Sequence, residues 1–207
     1  MSKEIIIIDY GLGNILSLKN TLEYLGFKVN YLSTSQKKIS DIYIIPGVGS
    51  FKKAMTLIKK KKIDIFINKL VQKKTPIIGI CLGMQIMGTW GYEDGKTKGL
   101  GLIDFSIKKL PIENKKTKLP NIGWKKVNFS FEKLLFLKKF NNKKFYFVHS
   151  FAIQKIKKEI EIAKSKFGDA NFISAIKKNN LVGFQFHPEK SGEQGLRLLK
   201  ATINGML

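Results

Sequence analysis

Three short runs in the first eighty residues, "EIIIID" (4–9), "DIYIIPG" (41–47) and "PIIGI" (76–80), are apolar at nearly every position. A strand with one wet face alternates polar and apolar residues. A strand that is apolar throughout is covered on both faces. Segments of helical period lie between these runs. "NILSLKNTLEYLG" (14–26) is apolar at 15, 18, 22 and 25, with Gly26 placed to end it, and a lysine-rich pattern over 51–72 breaks near Lys61. "FKVNYL" (27–32) reads as a further strand. Buried strands alternating with helices predict right-handed βαβ units around a parallel sheet.

The second half is mostly strand-like: "GLGLIDFSI", "WKKVNFSF", "KFYFVHSFAI", "EIEIAKSKF", "FISAIKK" and "LVGFQFHPE", with Asn179-Asn180 as a hairpin turn. A helix over 191–203 closes the chain, with Ser191 as its N-cap. The expected fold class is α/β: one domain over residues 1–207, a mostly parallel but mixed sheet flanked by helices. The apolar run at the N-terminus is only four residues long, too short for a signal peptide or a membrane span. One cysteine excludes an intramolecular disulfide framework, so a cytoplasmic protein without membrane attachment is expected.

A net charge of +23 invites a nucleic-acid-binding module as an alternative. Of the 38 basic residues only Arg197 is arginine, and base readout leans on the arginine fork that lysine lacks. The lysines are also spread along the chain, with pairs or runs at 37–38, 52–53, 59–62, 73–74, 115–116, 143–144, 157–158 and 177–178. Solvated faces of helices and loops are the simpler account, and no nucleic-acid partner is expected.

In α/β folds ligands gather at the carboxyl ends of the parallel strands. That rule selects "DYGLGN", "PGVGS" and "CLGMQ", which follow the first, third and fourth strands. The third holds the only cysteine, Cys81, with glycines two residues to either side. A buried structural cysteine needs no such punctuation; a thiol held out on a tight strand-to-helix elbow does. A thiol nucleophile needs a base, and the base an orienting group. His187 is one of two histidines, and Glu189 follows it across Pro188, which favours an extended backbone that turns both side chains to one side. Cys81, His187 and Glu189 are therefore the candidate catalytic residues, although spacing alone also allows a core cysteine and a strand-end histidine. The Leu82 N–H after the nucleophile, and a peptide of Gly47, Val48 and Gly49 free to reorient, are candidate oxyanion donors. Two distant histidines and one cysteine make a poor zinc site, so no metal and no cofactor are expected.

"GICLGMQ" together with "FQFHPEKS" resembles the class I glutamine amidotransferases. Within them, "PGVGSFKKAM", "GLGLI", "FYFVHSF" and "EKSGEQGLRLLKATI" are similar to the glutaminase subunits of imidazole glycerol phosphate synthases. The resemblance implies glutamine hydrolysis by a Cys-His-Glu triad. Ammonia would pass to a (β/α)₈-barrel cyclase in a heterodimer that makes imidazole glycerol phosphate and AICAR for histidine biosynthesis. It further implies that Gln85 and Glu93 hold L-glutamine, and that His149, Ser150 and Phe151 lie on the strand binding its amino-acid end. Read from the residues alone, His149 is equally a satisfied core histidine. Asn14, Trp124, Tyr146 and Lys190 match positions near the ammonia exit and the partner interface, where Trp and Tyr are common anchors but also common core residues. "GTWGYEDG" departs from the family's acidic run around Glu93. "PNIGWKK" departs as well, with Asn121 for histidine and Lys125 for asparagine on the expected partner side. That second departure keeps open a paralogous glutaminase supplying ammonia to surface-sugar or glycan synthesis.

Overall fold

The computed structural model describes residues 3–32, 40–111, 117–130, 135–156 and 159–206. The lysine pairs at 37–38, 115–116 and 157–158 lie outside the described residues. In chain order the elements are Glu4–Ile7 (β1), Ile15–Tyr24 (α1), Lys28–Tyr31 (β2), Ile42–Ile45 (β3), Phe51–Lys60 (α2), Ile63–Gln72 (α3), Ile77–Ile80 (β4), Leu82–Gln85 (α4), Trp90–Gly91 (β5), Thr97–Lys98 (β6), Phe105–Lys109 (β7), Asn121–Phe129 (β8), Lys143–His149 (β9), Phe151–Ile156 (β10), Glu161–Phe167 (β11), Ala170–Lys178 (β12), Leu181–Phe184 (β13) and Gly192–Gly205 (α5). Short 3₁₀ turns cover Leu135–Phe140 and Pro188–Lys190.

The main sheet runs β2-β1-β3-β4-β13-β12-β10-β7-β5-β6. It is parallel from β2 through β13 and antiparallel from β13 to β12 and on to β10 and β7. β12 also pairs with β11, which leads through β8 to β9. The expected mixed α/β sheet is thus parallel in the half that carries the glycine-rich turns. There the continuous apolar runs have their reason. Ile5 and Ile7 of β1 face one core with Leu18 and Leu22 of α1 and Leu198, Leu199 and Ile203 of α5. Ile6 and Ile8 face the other core, with Phe51, Met55 and Ile58 of α2 and Ile63 and Ile67 of α3. Each such isoleucine, removed from water on a sheet covered on both faces, contributes about 1.5–3 kcal/mol.

The helix break expected near Lys61 falls at Lys61–Lys62, where Lys62 has φ 54°. The Asn179-Asn180 turn joins β12 to β13 as a two-residue hairpin, with Lys178 opposite Leu181. Ser191 corrects its expectation: it stands before α5, but its hydroxyl makes no cap bond. That hydroxyl donates instead to the His187 carbonyl at 2.6 Å and accepts the Tyr146 amide at 2.9 Å. A buried hydroxyl that both donates and accepts is better satisfied there than by a single cap bond.

Because β1, β3, β4 and β13 run in the same direction side by side, the segments after them share one edge. Residues 9–14, 46–50, 81–85 and 185–190 meet there.

Candidate active site

Cys81 sits between β4 and α4 with φ 52° and ψ −109°, a conformation L-residues rarely adopt. Its amide donates to the Phe184 carbonyl at 2.7 Å, which ties the elbow to β13. The flanking glycines are required by space. A Cβ on Gly79 would stand 2.7 Å from the Met84 nitrogen, and one on Gly83 would overlap the Ile45 carbonyl. The helix that follows has only four residues, Leu82–Gln85, so its dipole lends the thiol little. As the first N–H of that helix, Leu82 has no intrahelical acceptor and is free to donate outward.

His187 is extended after β13, but Pro188–Lys190 form a 3₁₀ turn, which corrects the expected extended backbone: it is the turn that brings Glu189 back beside the ring. Glu189 Oε1 accepts from His187 Nδ1 at 2.8 Å, and the pair is buried. Burial lowers the imidazole's pKa, but the neighbouring Cys81 charge, with help from Glu189, outweighs it and pushes His187 up to about 10. The ring is thus an imidazolium facing the sulfur. Among the described residues its Nε2 meets no nitrogen or oxygen partner, and the interaction with Cys81 keeps its proton on the side of the sulfur. The turn is clamped from outside: His187 N–H donates to the Tyr146 carbonyl at 2.9 Å, alongside the Ser191 bridge.

The loop over 46–50 lies against the elbow. Tyr10 Oη donates to the Pro46 carbonyl at 2.7 Å, and a Cβ on Gly47 would stand 2.9 Å from that of Leu82. Burial and the nearby Cys81 and Asp9 charges raise the Tyr10 phenol well above its ordinary range, so it stays a donor. Gly49 has φ 109°, and Val48 is 40% exposed, so the peptide next to it is not locked in the core. Asn14, Gly47, Val48, His187, Glu189 and Lys190 line a space of about 10 Å³, the size of one water molecule.

Other candidates behave differently. Glu93 Oε2 accepts the Phe51 amide at 2.8 Å, capping the start of α2. Burial raises its pKa, against the lowering effect of that bond. Ser150 is half-buried, and its carbonyl accepts from Leu110. Trp124 is 51% exposed and meets Tyr146 edge to face at 6.2 Å. Asn121 corrects its expectation: it is 1% exposed and cannot present its side chain to a partner. Alternation along β8 puts 121 and 124 on opposite faces. Asn121 Nδ2 instead meets His149 Nε2 at 3.0 Å, and His149 Nδ1 meets the Phe151 carbonyl at 2.9 Å. Two side chains in the cleft escaped sequence reasoning: Tyr10, and Gln185, whose Nε2 lies 3.6 Å from Cys81 Sγ. The only signal for Gln185 was a polar residue between Phe184 and Phe186 in an otherwise apolar strand.

A strained thiol elbow, a buried His-Glu pair and a glycine loop on one sheet edge are the parts that thiol acyl transfer requires. The family model for "Glutamine amidotransferase class-I" matches residues 6–204. The chain belongs to the class-I glutamine amidotransferases. It is an enzyme that hydrolyses glutamine. Among its relatives, "Imidazole glycerol phosphate synthase subunit HisH" of Oceanobacillus iheyensis is 42% identical over 95% of this chain and 96% of its own length. The HisH 2 subunit of Methanococcus maripaludis is 41% identical over 96% and 98%, and HisH 1 of Campylobacter jejuni 38% over 96% and 98%. Among solved structures, PurLQS from Thermotoga maritima superposes with TM-score 0.77 at 20% identity over the full length of both chains. Another, a glutamine amidotransferase, gives 0.73 at 15% over 97% and 98%. These two share the fold. Among the described residues no helix is long and apolar enough to cross a membrane.

His149 yields a stability test. Burial pushes its pKa down to about 4, with the Phe151 carbonyl acting in the opposite sense and His187 adding to the lowering. The folded state therefore keeps it neutral, whereas the unfolded chain protonates near 6.5. This group's contribution is complete above pH 6.5 and lost as pH falls toward 4, up to about 3 kcal/mol. In denaturant titrations between pH 7 and 4.5, wild type is expected to lose more stability than His149→Gln. Parallel acid limbs would show that His149 is not held neutral.

Proposed function

We propose that the chain is the glutaminase subunit of an imidazole glycerol phosphate synthase, with Cys81, His187 and Glu189 as its triad and a (β/α)₈ cyclase as its partner. The observation that carries the chemistry is the buried His187–Glu189 pair beside the strained Cys81 elbow. Relatives matched over nearly their whole length support the pathway. The Cys81 thiolate attacks the side-chain amide carbon of L-glutamine, and the charge that develops on the carbonyl oxygen is met by Leu82 N–H and the peptide around Val48. His187 Nε2 gives its proton to the departing nitrogen, which leaves as ammonia and a thioester on Cys81. The same nitrogen then takes a proton from water, whose oxygen attacks the thioester and releases glutamate. Gln85, His149, Ser150 and Phe151 surround the amino-acid end of the substrate. Glu93 acts indirectly, by fixing the loop that leads into α2.

Ammonia must stay unprotonated to react, which favours a dry exit. The narrow space between the His187–Glu189 pair and the exposed Asn14 and Lys190 suits that role. Ile122 and Trp124, both about half exposed on one face of β8, form an apolar ridge beside Tyr146. That ridge is the proposed partner contact. Glutamate release should rise strongly when the same organism's cyclase and its nucleotide ligand are added. Trp124→Ala should raise the dissociation constant for the cyclase about 10- to 100-fold in a titration of that stimulation. Absence of stimulation by the cyclase, with slow Cys81-dependent turnover retained, would transfer the assignment to a sugar-modifying paralogue, the reading that the departure at Lys125 keeps open.

A further inference from the structure

Beside Cys81 lies an amide that the glutaminase chemistry above leaves without a role. Gln185 is completely buried, and its backbone is pinned to β12 by a bond to the Ser174 carbonyl at 2.9 Å. Its side chain bridges two groups: Oε1 faces Gln85 Nε2 at 3.0 Å, and Nε2 faces Cys81 Sγ at 3.6 Å. Gln85 Nε2 also reaches the Phe151 carbonyl at 2.9 Å.

The direction of this chain is fixed at its far end. A backbone carbonyl can only accept, so Gln85 must turn its NH₂ toward Phe151. The second hydrogen of that NH₂ then points at Gln185, which must answer with its oxygen. The only group Gln185 has left for the sulfur is its own NH₂. Flipping Gln85 would set its oxygen against the Phe151 and Gln185 oxygens, and flipping Gln185 would set NH₂ against NH₂, either of them unfavourable in a buried site. The same carbonyl accepts from His149 Nδ1, and His149 Nε2 in turn accepts from Asn121. All five contacts share one consistent set of donors and acceptors, and they end with an N–H aimed at Sγ. Such a donor interacts far more strongly with a sulfur anion than with a neutral thiol.

We propose that Gln185 is a positioning residue for the nucleophile, its side-chain N–H, oriented through Gln85 by the Phe151 carbonyl, holding the Cys81 sulfur in place as the anion. The proposal rests on Cys81 being the nucleophile of the glutaminase reading.

Two variants separate a donor from a space-filler. Gln185→Met keeps length and bulk and removes the donor; Gln185→Glu keeps the shape and sets a carboxylate against the sulfur. The rate of Cys81 alkylation by iodoacetamide, followed by mass against pH in the full chain, reports the anion without requiring turnover, because the chain has one cysteine. In Gln185→Met the half-maximal pH is expected to rise by about one unit, roughly tenfold less anion on the rising limb. Gln185→Glu is expected to move it further. Glutamine hydrolysis should lose about 10- to 100-fold in kcat, with KM within about threefold. Gln85→Met, which frees the Gln185 amide to turn over, should move alkylation in the same direction by less, and it serves if the Gln185 variants fail to fold. An unmoved alkylation profile in Gln185→Met, or Gln185→Glu behaving as wild type, overturns the proposal. If wild type releases no glutamate under any condition, the glutaminase reading fails while the alkylation profiles still decide what Gln185 does.

Discussion

Cys81→Ala and Cys81→Gly are expected to lose glutamate release equally, by at least about 10⁴-fold, yet to differ in stability with the glycine variant the more stable. Both remove the sulfur, its packing and its pairing with His187, so those losses cancel in the comparison. What remains is the backbone. At φ 52° and ψ −109° a Cβ strains the elbow, a cost of about 1–3 kcal/mol for a non-glycine residue. Glycine relieves that strain but loses about 0.5–1 kcal/mol through the greater freedom of its unfolded chain. The difference leaves glycine ahead by up to about 2.5 kcal/mol in a denaturant titration. In ordinary helix or strand interiors the order is reversed, which makes the sign informative. A glycine variant less stable than the alanine one would mean that the elbow is relaxed in solution and that strain plays no part in presenting the thiol.

The elbow also shows how far local sequence can be trusted. Gly79 and Gly83 announce it because the crowding they relieve comes from the next turn and the neighbouring strand, Met84 and Ile45, both set by the same βαβ unit. The parallel half of the sheet was legible for a similar reason: burial on both faces erases alternation within each run. Legibility fails where a side chain's role depends on a distant strand. Ser191 looks like a cap because the segment after it is helical. Its hydroxyl turns back to the His187 carbonyl four residues earlier and accepts the Tyr146 amide because β9 passes beside it, a partner without local trace. Gln185 acquires meaning only from Gln85, a hundred residues earlier. Asn121 was legible but misread. Its departure from the family pattern suggested a surface change, whereas the period of two along β8 already assigned it to the face opposite Trp124.

Charge was the least informative feature. Lys52, Lys53, Lys59, Lys60, Lys61 and Lys62 are all exposed on α2 and the turn after it, while that helix buries Phe51, Ala54, Met55 and Ile58. A helix can carry such a run without altering its core face, so the excess lysine bears on solubility and encounter rates rather than on the fold. The site depends on few charges, and all of them are buried.

Among these, Glu189 has the clearest consequence. Glu189→Gln keeps an oxygen for His187 Nδ1 to donate to, but removes the charge that helps hold the ring as an imidazolium. Glutamate release is expected to fall about 10²- to 10⁴-fold, as when the orienting carboxylate of a triad becomes an amide. The loss should lie in kcat rather than KM, because the carboxylate faces the base and not the substrate. Stability carries a second signature. His187 has a folded pKa near 10 against about 6.5 unfolded, so its contribution is complete below pH 6.5 and drains away as pH rises through 10. In Glu189→Gln the folded value moves down, so the alkaline loss is smaller and finishes at lower pH. Unfolding free energies measured from pH 6 to 10 should therefore fall less steeply in the variant than in wild type. A variant with wild-type kcat, or with an alkaline limb as steep as wild type, would mean that Glu189 only packs against the ring and that the pairing with Cys81 alone sustains the charge on His187.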